Sequence, residues 1–332
     1  TKLFRISDMP VAGAVVFTKN DRAVTRYVDR ATGHIYDVDL ATLQKTKITN
    51  NTLPKIYEAY FRSDGNAVLL RSLKDGSDTV VNLSLTLTAP RATSTLYTVS
   101  SVAIRGDISS VAVGSGNTLF YALRDTSSII SATFNGAGAK TLLTSPFTDW
   151  RLVATGNSLV VYTKTSANAA GYAYTLSTSG GTLTKILGPL NGLVAIPNSS
   201  GNRVLYSYTD GGKTRLFASN LQNKTLSEIS PATLAEKCIW STRSAGLVFC
   251  GVPIDDFGAG EPDNWYRGAT HFSDRVWQFD TNTEIAQVLV EPKQILDIDI
   301  DIFEPKLSPN EDYLVFTNRN DLTLWTLKLE QF

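Results

Sequence analysis

Three carboxylates spaced two apart, in "DIDIDIFEP" from Asp297, form the sharpest chemical pattern in the chain. Strict alternation predicts an extended strand, with Asp297, Asp299 and Asp301 on one face and Ile298, Ile300 and Ile302 on the other. Same-face neighbours on a strand lie roughly 7 Å apart, so the row calls for a cation or for basic partners. Oxygen-only ligands suit Ca²⁺. The spacing is not that of an EF-hand, and solvated or paired carboxylates are the competing expectation.

A second concentration of chemistry lies in "CGVPIDDFGAGEPDNWYRGATHFSDRVW", from Cys250 to Trp277. It holds Asp255, Asp256, Glu261, Asp263 and Asp274 beside Trp265, Tyr266 and Arg267. Trp, Tyr and Arg are enriched at binding hot spots, which marks Asp255, Asp256, Glu261, Asp263, Trp265, Tyr266 and Arg267 as candidates for holding a partner. The competing expectation is a decorated loop whose Trp265 packs back onto its scaffold. Cys238 and Cys250 sit symmetrically about residue 244, opposite each other on a predicted hairpin, where a disulfide can form. The alternative is two buried thiols.

Catalytic constellations are poor, and no catalytic residue is assigned. His34 and His271 have no Ser or Cys partner visible in sequence. No G-x-S-x-G elbow occurs. "GGKT" at Gly211 mimics the end of a P-loop, but Ser207 stands where glycine is needed and the context is a hairpin. Arg105-Gly106-Asp107 spells an adhesion tripeptide, which recurs by chance. Asn50, Asn82, Asn198 and Asn223 begin glycosylation sequons. Thr1 leads straight into a strand-like run, which argues against an N-terminal nucleophile.

The elements that must position these groups are short β-strands. The chain has 332 residues, is 42% hydrophobic, and carries 31 basic and 31 acidic side chains. A neutral chain without a basic block is a poor fit to nucleic acid, and no apolar run approaches a membrane span. The chain starts at Thr1 rather than Met, which leaves room for a targeting or anchoring segment outside it. Period-two runs bounded by Gly, Asn, Asp and Pro dominate.

The strongest signal is a repeat of strand, polar turn and very apolar strand, as in "YFRSDGNAVLLRS" from Tyr60 and "KLSPNEDYLVFTN" from Lys306. Its turn markers are Asn20, Gly65, Gly116, Gly156, Gly201, Gly246 and Asn310, with steps of 45, 51, 40, 45, 45 and 64 residues. A third strand carries an apolar or aromatic centre, with Tyr36, Phe217, Trp277 and Trp325 at comparable places. A fourth, rich in Lys and Thr, closes the unit at Gln44 and Asn223. Steps near 45 suit four-stranded propeller blades. The expected fold is all-β: one seven-bladed β-propeller of four-stranded antiparallel blades, near 11–50, 54–105, 107–145, 147–188, 191–230, 234–291 and 295–329. The last unit has only three strands, so residues 1–7 are expected to supply its fourth and close the ring. The 64-residue step places an insertion, 251–274, between the second and third strands of blade six. On a propeller that link emerges beside the inter-blade connections around the channel mouth, where loops commonly carry function.

"LSPNEDYLVFTNRNDLTLWTL" resembles the blade motif of WD40-like and TolB-like bacterial propellers. The whole chain is similar to uncharacterised, often membrane-anchored bacterial propeller proteins, on "PVAGA" (residues 10–14), "TGHIYD" (residues 32–37) and "WYRG…FSDRVW" from Trp265. The resemblance implies the fold and brings no activity. The Trp-Asp pair of true WD40 repeats is absent, and Asn310 stands where the blade motif usually has Asp.

These readings point to a non-catalytic, extracytoplasmic module of a bacterial cell envelope or surface. It would bind a protein partner, or act as a scaffold, through the face that carries the insertion, with no cofactor beyond the Ca²⁺ considered above. The alternative is a glycan-binding or glycan-active propeller, pairing Asp299 or Asp301 with Asp263 or Asp274. A purely structural spacer is the third possibility.

Overall fold

The computed structural model describes residues 2–74, 76–91 and 94–329; Thr1 lies outside them. It forms seven four-stranded antiparallel sheets, the blades of a β-propeller. Their strands span 11–47, 56–104, 108–144, 150–191, 194–228, 238–290 and, in the last, 302–328 joined by Leu3–Arg5. Two compact units can be distinguished. The first holds the described residues up to 148, with 306–317 and those from 321. The second holds 149–305 and 318–320.

The turn chemistry expected from sequence explains the hairpins. Asn20 and Asp21 both adopt left-handed φ, 50° and 59°, between the paired residues Lys19 and Arg22. Such a two-residue turn matches the twist of its strands. Gly211 and Gly212 do the same between Asp210 and Lys213, so "GGKT" is a hairpin turn with no helix behind it.

The second strand of each blade is buried through its centre because both of its faces are covered. In the first unit, Val68 and Leu70 pack with Val28 and Ile35 of blade one, while Leu69 packs with Leu119 and Tyr121 of blade three. In the second unit, Val160, Leu205 and Val248 join one core across blades four, five and six. The aromatic stripe belongs to this packing: Phe217 and Trp277 lie against that core, and Trp325 is buried.

Leu3–Arg5 pairs antiparallel with Thr323–Lys328, Leu3 opposite Leu327, and this pairing closes the ring. In blade six, Cys238 stands opposite Cys250 and the two are joined by a disulfide. The strands Leu247–Pro253 and Asp274–Asp280 are paired to their ends, Pro253 opposite Asp274. The extra length is therefore the connection 254–273, with a four-residue helix, α1 (Asp263–Tyr266).

The acidic row does not lie on a strand. A second short helix, α2 (Pro292–Leu296), starts on Pro292, and Asp297 ends it with a left-handed φ of 53°. Proline suits a helix start, and the turned-out cap breaks the alternation that the sequence suggests. The strand begins only at Ile302.

Candidate functional site

The insertion is organised around one buried lysine that sequence reading passed over. Lys237 ends a single 3-10 turn, Ala235–Lys237, just before the first strand of blade six. It is wholly buried, as are Asp274, Asp301 and Trp265. Its ammonium lies 2.8 Å from Asp274 Oδ2 and also pairs with Asp301 Oδ1. It sits 5.2 Å from the Trp265 ring centre and 4.9 Å from that of Phe272, where aromatic faces favour a cation. The other Asp301 oxygen accepts hydrogen bonds from Trp265 Nε1 at 2.8 Å and from the Phe272 amide at 3.2 Å. Asp274 Oδ2 also accepts from the Ile302 amide at 2.6 Å. Glycine is required at 251, because a Cβ there would stand 2.6 Å from Ile302 Cβ and 2.8 Å from Asp274 Oδ2.

The rest of the insertion is fastened in the same way. Glu261 accepts from the Trp265 amide at 2.9 Å and from Thr270 Oγ1 at 2.5 Å. Asp263 accepts from the Ala167 amide at 2.6 Å. The Arg319 guanidinium stacks 4.4 Å from the Trp265 ring centre and 5.2 Å from that of Phe303, and donates to the Trp265 carbonyl at 2.9 Å.

Of the seven residues expected to hold a partner, Glu261 and Trp265 are therefore buried, and Asp263 is half-buried in an internal contact. Asp255, Asp256 and Arg267 are exposed, and Tyr266 is 38% exposed. Trp265 turns inward, packed with Leu234 and Phe272, and its indole N–H donates to Asp301. Tyr266 Oη donates to the half-buried Glu236. Burial pushes the Glu236 carboxyl up from its ordinary range, opposed by that hydrogen bond and by Arg319 and Arg151. Burial, with Glu236 beside it, also raises the Tyr266 phenol well above its usual value.

The three aspartates of the acidic row part company. Lys293 bridges the exposed Asp297 and Asp299 at 3.1 and 3.3 Å, while Asp301 takes Lys237. Among the described residues no three His, Cys, Asp or Glu side chains gather as metal ligands. Asp274 and Asp301 do converge, but a lysine ammonium already fills the place of a cation between them. His34 Nε2 lies 3.3 Å from Thr52 Oγ1, and His271 is exposed. Arg105 and Asp107 pair with each other at 2.9 and 2.8 Å. Asn82 is fully buried between Arg71 and the Arg105 carbonyl, which removes that sequon from the folded surface.

Two carboxylates share one lysine, and Asp274 Oδ1 has no donor among the described residues. Burial first, with Asp301 adding to it against Lys237, pushes the Asp274 carboxyl up to about 6. The folded chain then binds a proton more readily than the unfolded one, so this group costs stability above pH about 6. The cost fades as the pH falls towards the unfolded value near 3.8. The denaturation midpoint is expected to rise between pH about 7 and about 5. In Asp274→Asn that contribution should vanish; identical pH profiles for the two proteins would contradict it.

No family model matches the chain, and no curated protein matches it. Solved structures do. An oligogalacturonate lyase in complex with manganese matches with a TM-score of 0.64 at 10% identity, over 99% of this chain and 93% of that one. A streptogramin B lyase matches at 0.59 and 11%, over 99% and 97%. The hydrazine synthase of Kuenenia stuttgartiensis matches at 0.61 and 10%, over 97% of each. At such identities the likeness is one of fold, which hosts unrelated activities.

Proposed function

We propose that this propeller is an extracytoplasmic binding module that docks a protein partner on the blade-six insertion, through Tyr266 and Arg267, with Asp255 and Asp256 at the rim. One observation carries the reading: the insertion is fastened from within, yet it leaves a Tyr-Arg pair at the solvent end of α1. A preorganised loop loses little freedom on binding, so its contacts count towards affinity. Aromatic and arginine side chains are the ones that carry such contacts. The joined cysteines and the Ser/Thr-rich chain support a place in the cell envelope. The carbohydrate-active alternative gains nothing from Asp274 and Asp301, which are sealed and tied to Lys237.

The test is a crosslinking capture from bacterial envelopes, followed by titration of the purified captured protein. Tyr266→Ala with Arg267→Ala is expected to weaken that complex at least tenfold, about 1.4 kcal/mol. Asp255→Asn with Asp256→Asn should mainly alter the association rate and its salt dependence. Unchanged affinity in the Tyr266/Arg267 variant, with an unchanged melt, would refute docking at this surface.

A further inference from the structure

The first unit holds a cleft of about 540 Å³, within the range of small-ligand sites. One wall is the outer half of blade one, with Asp37, Asp39, Gln44 and Thr46. The other comes from the link between the third and fourth strands of blade two, with Ala89, Pro90, Ser94, Thr95 and Tyr97. The Tyr97 amide donates to the Ile48 carbonyl at 2.8 Å, which holds Tyr97 against blade one.

Every carboxylate in the cleft already has its cation. The fully buried Arg26 holds Asp37 with two hydrogen bonds, 2.6 and 2.9 Å, and Lys19 adds a third at 2.8 Å. The same Arg26 lies 4.7 Å from the Tyr97 ring centre. Asp39 is paired with Arg22 at 3.1 Å and accepts from the Ala41 and Thr42 amides at 2.9 and 3.0 Å. What remains to be satisfied is neutral: the side-chain amides of Asn20 and Gln44 and the hydroxyls of Thr46 and Thr95. Ala89 and Pro90 supply accessible apolar surface, above the buried Val24 and Ile48.

We propose that this cleft binds a neutral saccharide of one or two rings. Amides and hydroxyls can both donate and accept, as vicinal sugar hydroxyls do. The paired carboxylates keep free lone pairs that accept from hydroxyls without giving up their cations. The apolar surface of Ala89 and Pro90 suits the C–H face of a ring. A charged ligand would find no unpaired countercharge and would have to break the Arg26–Asp37–Lys19 set.

The probes are maltose, cellobiose, lactose, trehalose and chitobiose, with a digalacturonate as the charged comparison, each titrated calorimetrically. At least one neutral disaccharide is expected to bind, with Kd about 1 mM or tighter. Thr46→Trp, which fills the cleft, should abolish that binding. Gln44→Ala, at an exposed position, should weaken it about tenfold and carries the test if the larger residue disturbs folding. Binding of none of the neutral sugars, binding of the uronate alone, or binding that survives both substitutions would overturn the assignment. None of these variants touches the insertion, so their outcome is independent of partner docking.

Discussion

Lys237→Met is expected to destabilise the protein by about 5 kcal/mol at neutral pH, the upper end of what breaking a buried ion pair costs. Methionine fills much the same space, so the loss is one of charge. Asp274 and Asp301 would be left fully buried with no cation between them, and Asp301 would keep only the hydrogen bonds from Trp265 and Phe272 on its other oxygen. Two unpaired carboxylates in a closed interior respond by taking up protons. The variant should therefore recover part of its loss as the pH falls. Adding Asp274→Asn and Asp301→Asn should restore most of the stability, because an amide at 301 still accepts from the Trp265 indole. Denaturant unfolding followed by tryptophan fluorescence reads all three proteins. A loss below about 1 kcal/mol in the single variant would mean that the lysine holds nothing in place.

Removal of residues 1–7 should lower the melting temperature by on the order of 10 °C. Leu3 and Ile6 are 2% and 8% exposed, and burial of two such side chains stabilises by about 3–6 kcal/mol. The deletion also strips backbone partners. The Ile6 amide donates to the Leu324 carbonyl at 2.7 Å, and the Leu324 amide donates to Ser7 Oγ at 2.8 Å. Strand Thr323–Lys328, with Leu324 and Leu327 buried, would become an open apolar edge, prone to pair with another chain. Concentration-dependent aggregation should accompany the lower melt. A melt equal to that of the intact chain would show that the ring does not depend on this strand.

The propeller was legible because its code is local. A polar turn followed by a doubly covered apolar strand can be recognised within a dozen residues, and the three-strand final unit points to the missing fourth. The place of the insertion followed from a step that was too long. Its interior was not legible, because it is built from distant partners. Lys237 meets Asp301 across 64 residues, and Trp265 reaches the same carboxylate across 36. Nothing near "LAEKCIW" marks its lysine as buried. Composition misled in two places. An exposed-looking Trp-Tyr-Arg run contains one residue that belongs to the interior, because an indole N–H beside a carboxylate is better satisfied there. A perfect alternation at Asp297 was overridden by the helix just before it, which Asp297 ends in a left-handed turn, and the pairing of a strand starts only at Ile302. Glu236 and Arg319 frame the outward Tyr266 and carry no local signature at all.

The most direct test is native-state amide exchange across residues 254–273. The Trp265, Tyr266, Arg267 and Phe272 amides all donate within the insertion or to the buried cluster. If the buried lysine makes this connection part of the scaffold, these amides should exchange only through openings that cost several kcal/mol, close to those of the blade-six strands, and Lys237→Met should collapse that protection. Exchange at the rate of an open loop in the intact protein would contradict a preorganised insertion, and with it the docking surface built on it.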